Sequence, residues 1–210
     1  MSPGGPRVRN RYGRHRGTCE RLPVDPVDEA QLAAELDHLR NSPRDVGRLE
    51  AIVCRPAVGE RIELIEGQLD PEVGLVGDTW NQRSSKRTAD GSPHPDMQLN
   101  VINARVAQTV ARDRSRWALA GDQLYVDLHL GPDNLAAWTR LAIGTAVIEV
   151  TDQPHTGCAK FTERFGLAAH RFVNSPEGKA INARGINARV VVPGTVTVGD
   201  TITVVGRSPA

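Results

Sequence analysis

With 210 residues, 39% hydrophobic and 24% charged, the chain is long enough to bury a core and too apolar to be disordered. A net charge of +1 supplies no global attraction, so neither nucleic acid nor a membrane is expected as a partner. Cys19, Cys54 and Cys158 are odd in number and show no Cys-x-x-Cys spacing, which argues against a disulfide framework and a structural zinc site. No apolar run is long enough to span a bilayer and no apolar segment follows Met1, so the expected setting is soluble, reducing and cytoplasmic.

Residues 1–24 read as a basic flexible tail. Arg7, Arg9, Arg11, Arg14, Arg16 and Arg21 face only Glu20, among frequent Gly and Pro. A nucleic-acid-binding arm is the alternative, but Tyr12 is the one aromatic there. Residues 25–45 read as an N-terminal packing helix. Asp28 can cap Glu29–Leu39, Leu32, Leu36 and Leu39 fall on one face, and Asn41-Ser42-Pro43 ends it.

From Val46 to Gly206 the pattern is β-rich, and with 4% aromatics its core must be built from Val, Ile, Leu and Ala. One device recurs at Val58-Gly59-Glu60, Ile143-Gly144-Thr145 and Val198-Gly199-Asp200: a tight turn, followed by the alternating runs Arg61–Leu64, Ala146–Val150 and Thr201–Val205. Leu49–Cys54, Gln123–Leu128 and Arg189–Val192 are further strand candidates. Helices are expected at Val101–Trp117, Asp133–Leu141, Gly157–Phe165 (capped by Thr156 and closed by Gly166) and Pro176–Ala183 (capped by Ser175). Gln82–Asp96 reads as a long polar loop. Short strands with glycine corners predict a mainly β fold, a closed or nearly closed barrel with several peripheral helices, with a sandwich as the alternative.

Chemistry, if present, centres on Cys158. It follows a strand and falls at the start of a predicted helix, where free amides and the helix dipole favour a thiolate. Lys160 and Arg164 share a nearby helical face, and His155 lies three residues upstream. Such a thiolate can act as nucleophile, persulfide carrier or soft metal ligand, while a buried structural cysteine is the plainer alternative. Lys179, Arg184 and Arg189 flank the turn Ala183–Asn187, where Gly185 can adopt positive φ. With Lys160 and Arg164 they suit a phosphate or pterin pocket, or are scattered surface cations. Gly74-Leu75-Val76-Gly77-Asp78 reads as a turn whose Asp78 caps or coordinates a neighbour, Cys54 as core, and Cys19 as inert. No Walker-type or Gly-x-Gly-x-x-Gly loop supports nucleotide binding.

These spots, in order, resemble the MOSC domain, the module named for the C-terminus of molybdenum-cofactor sulfurase. The matching elements are Leu49-Glu50-Ala51-Ile52 with Arg55-Pro56, Gly74–Asp78, Gln98-Leu99-Asn100-Val101, Gly121-Asp122-Gln123-Leu124, Pro154-His155-Thr156-Gly157-Cys158, Arg184–Ala188 and Gly194 with Val198-Gly199-Asp200. The resemblance covers residues 46–206 and implies a β-barrel that binds molybdenum cofactor (molybdopterin), with Cys158 as the molybdenum ligand. It further implies Lys160, Arg164, Lys179 and Arg184 on the phosphate and pterin, His155 and Asn187 orienting polar groups, and Asp78 and Asn100 near the barrel mouth. The implied activity is redox or sulfur transfer, such as reduction of N-hydroxylated compounds. The alternative is a non-catalytic carrier that accepts sulfur on Cys158. The chain's three cysteines are too few to ligate an iron–sulfur cluster. Electrons would therefore come from a flavin or iron–sulfur partner, or sulfur from a separate pyridoxal-phosphate-dependent cysteine desulfurase.

Overall fold

The computed structural model describes residues 24–207, and the basic tail lies outside that range. The elements are α1 (Glu29–Arg40), β1 (Val46–Cys54), β2 (Ile62–Leu64), β3 (Glu66–Asp70), β4 (Gly74–Leu75), β5 (Leu99–Asn103), α2 (Ala104–Ala111), β6 (Leu124–Asp127), β7 (Arg140–Ile143), β8 (Ala146–Val150), α3 (Ala159–Asn174), α4 (Pro176–Ala180), β9 (Ile186–Val192), β10 (Gly194–Thr197) and β11 (Thr201–Gly206). Short 3-10 turns occupy Trp80–Gln82, Pro95–Met97 and Arg114–Ala120. Among the described residues no helix is long and apolar enough to cross a membrane.

Seven strands close into a barrel in the order β1-β6-β5-β9-β8-β7-β11 and back to β1, which excludes the sandwich. Closure depends on β1 serving two partners along one edge. Val46–Arg48 pair with β11, and Ile52–Cys54 pair with β2. A bulge between Leu49 and Ala51 resets the pleat, so Leu49, Ile52 and Cys54 face the barrel interior while Ala51 and Val53 face outward. Among the described residues only β5 and β6 pair in parallel, and α2 with the following 3-10 turn forms the crossover that a parallel pair requires. The small sheet β10-β3-β4 contributes Leu69, Leu75 and Val196 to the interior core. A second core lies outside the barrel, where Ala51, Val53, Ile102 and Tyr125 meet α1, α2 and α3.

The three repeated turns behave as expected. Gly59, Gly144 and Gly199 have φ of 86°, 55° and 99°. α1 forms with the expected cap, reinforced by a capping box in which Asp28 and Gln31 exchange side-chain-to-backbone bonds. Other expectations are corrected. The run Val101–Trp117 is not one helix: Val101 lies in β5, and Asn103 caps α2 by accepting from Arg105 N and Val106 N at 2.7 and 3.4 Å. Arg112 then takes φ 60° and ends the helix. Asp133–Leu141 is not a helix either. A single turn on Gly131 is followed by Trp138 at φ 70°, whose N–H bonds Val150 O and starts the β7–β8 ladder. The helix expected at Gly157–Phe165 starts at Ala159, with Cys158 rather than Thr156 at the N-cap. Past a break at Gly166 (φ 88°) the chain resumes as a second helical segment to Asn174. The helix after Ser175 stops at Ala180 instead of Ala183.

Gly144 and Gly59 separate two costs. An alanine Cβ at Gly144 would lie 2.3 Å from Thr195 O, whereas at Gly59 it would meet nothing within 4 Å. Gly59→Ala is expected to cost about 1–2 kcal/mol from positive φ alone. Gly144→Ala should cost clearly more, because β10 must also move away. Urea unfolding midpoints of the two variants measure the difference.

Candidate functional site

One end of the barrel collects the C-terminal ends of β1 and β8, the start of β6 and the paired residues Asn100 and Asn187 of β5 and β9. Arg55 follows the apolar run that ends β1 and is buried, so its charge has to be met by other groups. Its Nε and Nη2 donate to Asp78 Oδ2 and Oδ1 at 2.8 and 3.0 Å, and its backbone N–H donates to Oδ2 at 3.0 Å. Nη1 donates to Gly121 O at 2.7 Å and Asn100 Oδ1 at 3.2 Å. Asp78 reaches this position through the turn in which Gly74 and Gly77 both have positive φ, and it also accepts Trp80 N–H at 2.9 Å.

A second buried pair lies beside the first. Arg184 Nη1 donates to both oxygens of Asp122 at 3.0 and 2.8 Å, and Nη2 donates to Ala120 O at 3.0 Å. Ala120-Gly121-Asp122 is thus held between two arginines. Asn100 Nδ2 donates to Asn187 Oδ1 at 2.7 Å, and Asn187 Nδ2 donates to Gln153 O at 3.1 Å. His155 Nδ1 lies 3.6 Å from Asp122 Oδ1 and is buried without a hydrogen-bond partner. Burial, then Arg184, Arg55 and Arg87, hold the His155 imidazole well below its usual range. Burial pushes the Asp122 carboxyl up against the opposing pull of Arg184. Gly185, at φ 102°, lets the turn approach. An added Cβ would lie 2.3 Å from Val101 O and 3.3 Å from His155 Nδ1.

Around these pairs the balance of charge is positive. Among the described residues Arg61, Arg83, Arg87 and Arg164 have no carboxylate partner, while Asp78 and Asp122 are taken by Arg55 and Arg184. Burial and the repulsion of Arg164 and Arg55 depress Arg61, and burial and Arg55 depress Arg83. Arg164 Nη1 donates to Leu119 O at 2.7 Å and lies beside Gly121. Arg61 Nε and Arg184 Nε are buried donors with no protein acceptor.

Cys158 is exposed, which removes the buried-structural alternative. Its carbonyl accepts Phe161 N–H and Thr162 N–H at 2.9 and 3.1 Å, while its thiol makes no capping bond. The preceding Gly157 donates to Asn174 Oδ1 at 3.2 Å, so the second segment of α3 steadies the loop. Phe161, in the first turn of the helix, is buried with the Arg184 guanidinium 5.0 Å from its ring centroid. The first turn of α3, which follows the Cys158 loop, thus packs on the arginine that holds Asp122.

Of the residues singled out from the sequence, Asp78, Asn100, His155, Arg184 and Asn187 join this mouth, and Arg164 reaches its rim. Asp78 and Asn187 are closed to solvent and act by positioning their partners. Lys160 and Lys179 are exposed, and no hydrogen bond or ion pair joins them to the network. Cys54 is core, as expected, and burial and Asp78 push its thiol up. Sequence reasoning did not weigh Arg55, Arg61 or Asp122 as site residues. The available signal was a charge set directly against an apolar run or a glycine: Arg55 after Ala51–Cys54, and Asp122 after Gly121.

The sequence profile of the MOSC domain matches residues 94–203, more than half of the chain. The motifs from Leu49 to Asp78 precede that match; Leu49–Ile52 lie in the barrel strand β1, and the Gly74–Asp78 turn joins it through the Arg55–Asp78 pair. No curated protein matches the chain in sequence. Among solved structures, the YuaD protein of Bacillus subtilis is 16% identical with a TM-score of 0.52, over 76% of this chain and 96% of that one. YiiM of Escherichia coli is 24% identical with a TM-score of 0.50, over 78% and 72%. At such identities the shared property is the fold. With a matching barrel and a profile match that takes in both the Cys158 loop and the Arg184–Ala188 turn, the chain belongs to the MOSC domain family.

Proposed function

We propose that this protein binds molybdenum cofactor at the barrel mouth, with the Cys158 thiolate as a molybdenum ligand, and serves a redox or sulfur-transfer reaction. The observation that carries this reading is an exposed thiol, with no hydrogen-bond partner among the described residues, on the loop whose His155 Nδ1 is buried, unpartnered and 3.6 Å from the Arg184-bound Asp122. The donor set suits the group. The cofactor is anionic through its phosphate and dithiolene, and Arg61 and Arg164 lack counter-charges. The buried Arg184 Nε and His155 Nδ1 have no protein partner and fit polar edges of a pterin. One thiolate alone does not hold a metal ion, so the metal would bring its remaining ligands with it.

When bound, the cofactor would supply two-electron redox chemistry or carry transferable sulfur. The chain's own residues bind and orient it. Arg164 and Arg184 would hold the anionic portion, with Lys160 and Lys179 adding positive potential from the surface. Asn100 would present its amide at the mouth. Asp78 and Asn187 keep Arg55 and Asn100 in place. His155, uncharged at neutral pH, offers a lone pair or an N–H rather than a charge. Electrons or sulfur would come from a separate flavin or iron–sulfur protein, or from a cysteine desulfurase.

Elemental analysis of protein from a cofactor-competent host should find molybdenum in the wild type and lose most of it in Cys158→Ser. Molybdenum that is absent, or unchanged by the substitution, rejects the reading. A persulfide on Cys158 without metal, detected by mass spectrometry after incubation with a desulfurase and cysteine, selects the carrier alternative instead. A second prediction concerns pH. The folded pKa of His155 lies below its unfolded value, so the unfolded chain takes up the extra proton and stability falls as pH drops through about 6.5. Urea unfolding of His155→Gln should show a flatter pH dependence between pH 7.5 and 5.5 than the wild type.

A further inference from the structure

The loop Gln82–Asp96 is a built structure. Ser85 N–H donates to Gly91 O at 3.2 Å, Thr88 Oγ1 donates to Ser92 O at 2.6 Å, and Asp90 Oδ1 accepts Ser92 N–H at 2.9 Å. It curls over Arg55 and Asn100 and borders an open cavity of about 320 Å³. Arg55, Arg83, Lys86, Arg87 and His94 line that cavity, and no Asp or Glu side chain does. Lys86 has no hydrogen-bond or ion-pair partner among the described residues. His94 Nδ1 accepts Asp96 N–H at 3.2 Å, which leaves the proton of the neutral ring on Nε2 as a donor. Trp80, Pro93 and Met97 form an apolar wall. Arg87 Nη1 donates to Gln153 Oε1 at 3.2 Å, on the segment that leads to Cys158. Arg61, Arg164 and Arg184, the guanidiniums available to the cofactor, do not line this space.

Arg55 is already paired with Asp78, but Arg83, Lys86 and Arg87 have no carboxylate partner among the described residues; such cations repel one another, and a bound anion relieves that repulsion while taking up their free N–H donors. The volume is that of a small-molecule site, and the apolar wall asks for a hydrocarbon body. We propose that this cavity is a substrate subsite for a small organic anion, a carboxylate or phosphate carried on a flat or apolar group. Calling the occupant a substrate rests on the cofactor reading above. The anion selectivity rests on the loop alone.

The test uses full-length protein purified from a host that does not make the cofactor. Isothermal titration at low ionic strength should show benzoate and phenyl phosphate binding, neutral benzamide failing to bind, and affinity falling as salt is added. Arg83→Gln and Lys86→Gln should each weaken the anions about tenfold or more. Both variants should keep wild-type molybdenum content when made in a cofactor-competent host, and Cys158→Ser should bind the anions as the wild type does. Equal binding of benzamide, or unchanged affinity in both variants, overturns the assignment. Molybdenum lost from Arg83→Gln and Lys86→Gln also overturns it, because the cavity would then serve the cofactor's own phosphate. A wild type that takes up no molybdenum, yet binds the anions as stated, rejects the cofactor reading and leaves the anion site standing.

Discussion

A guanidinium buried at the end of a β-strand cannot escape its charge by losing a proton, so everything around Arg55 has to answer it. Four side-chain hydrogen bonds and its backbone amide reach Asp78, Asn100 and Gly121, which belong to three separate stretches of chain. Removing one partner from such a pair typically costs about 3–5 kcal/mol, because the other charge stays buried and unpaired. The Gly74–Asp78 turn, the start of β5 and the segment before β6 are thereby fixed relative to the end of β1. The mouth of the barrel is the result of that fixation.

Arg184 repeats the arrangement from the opposite side. It takes Asp122, reaches Ala120 O and stacks near Phe161, so the first turn of α3 and the Cys158 loop inherit a position from the same buried charge. Because both carboxylates are used inside these pairs, the remaining arginines at the mouth keep an uncompensated positive potential. A site assembled this way is rigid before any ligand arrives, and little reorganisation is needed to accept an anion.

Several features were legible from local chemistry. The α1 cap, the three glycine turns and the alternation of Ala146–Val150 depend on residues a few positions apart, and all formed as read. The ordered motifs also identified the barrel. The failures share one cause. Val101 lies at helical spacing from Val106 and Val110, yet pairing with β6 and β9 draws it into a strand, and the Asn103 side chain starts the helix after it. Leu141 and its neighbours lie in β7 because β8 and β11 offer ladders on both sides. The second half of α3 follows a glycine that reads as a stop. The chain kinks there, resumes as helix and packs Val173 into the outer core.

For the site, sequence marked Cys158, His155, Arg184, Asn100, Asn187 and Asp78, because unusual residues at turns stand out against an apolar β pattern. It could not say that Asp78 and Asn187 face inward to serve other side chains while Cys158 faces out. Nor could it say that Arg83, Lys86 and Arg87 gather around one cavity. What the sequence by itself determined is the set of turns, caps and amphipathic runs, since those follow from backbone preferences and short-range bonds. Which charges meet which was decided only by the tertiary structure. Arg55 and Asp78 are 23 residues apart, and Arg184 and Asp122 are 62 apart. Closure of the barrel brings each pair to one end, where burial forces the pairing.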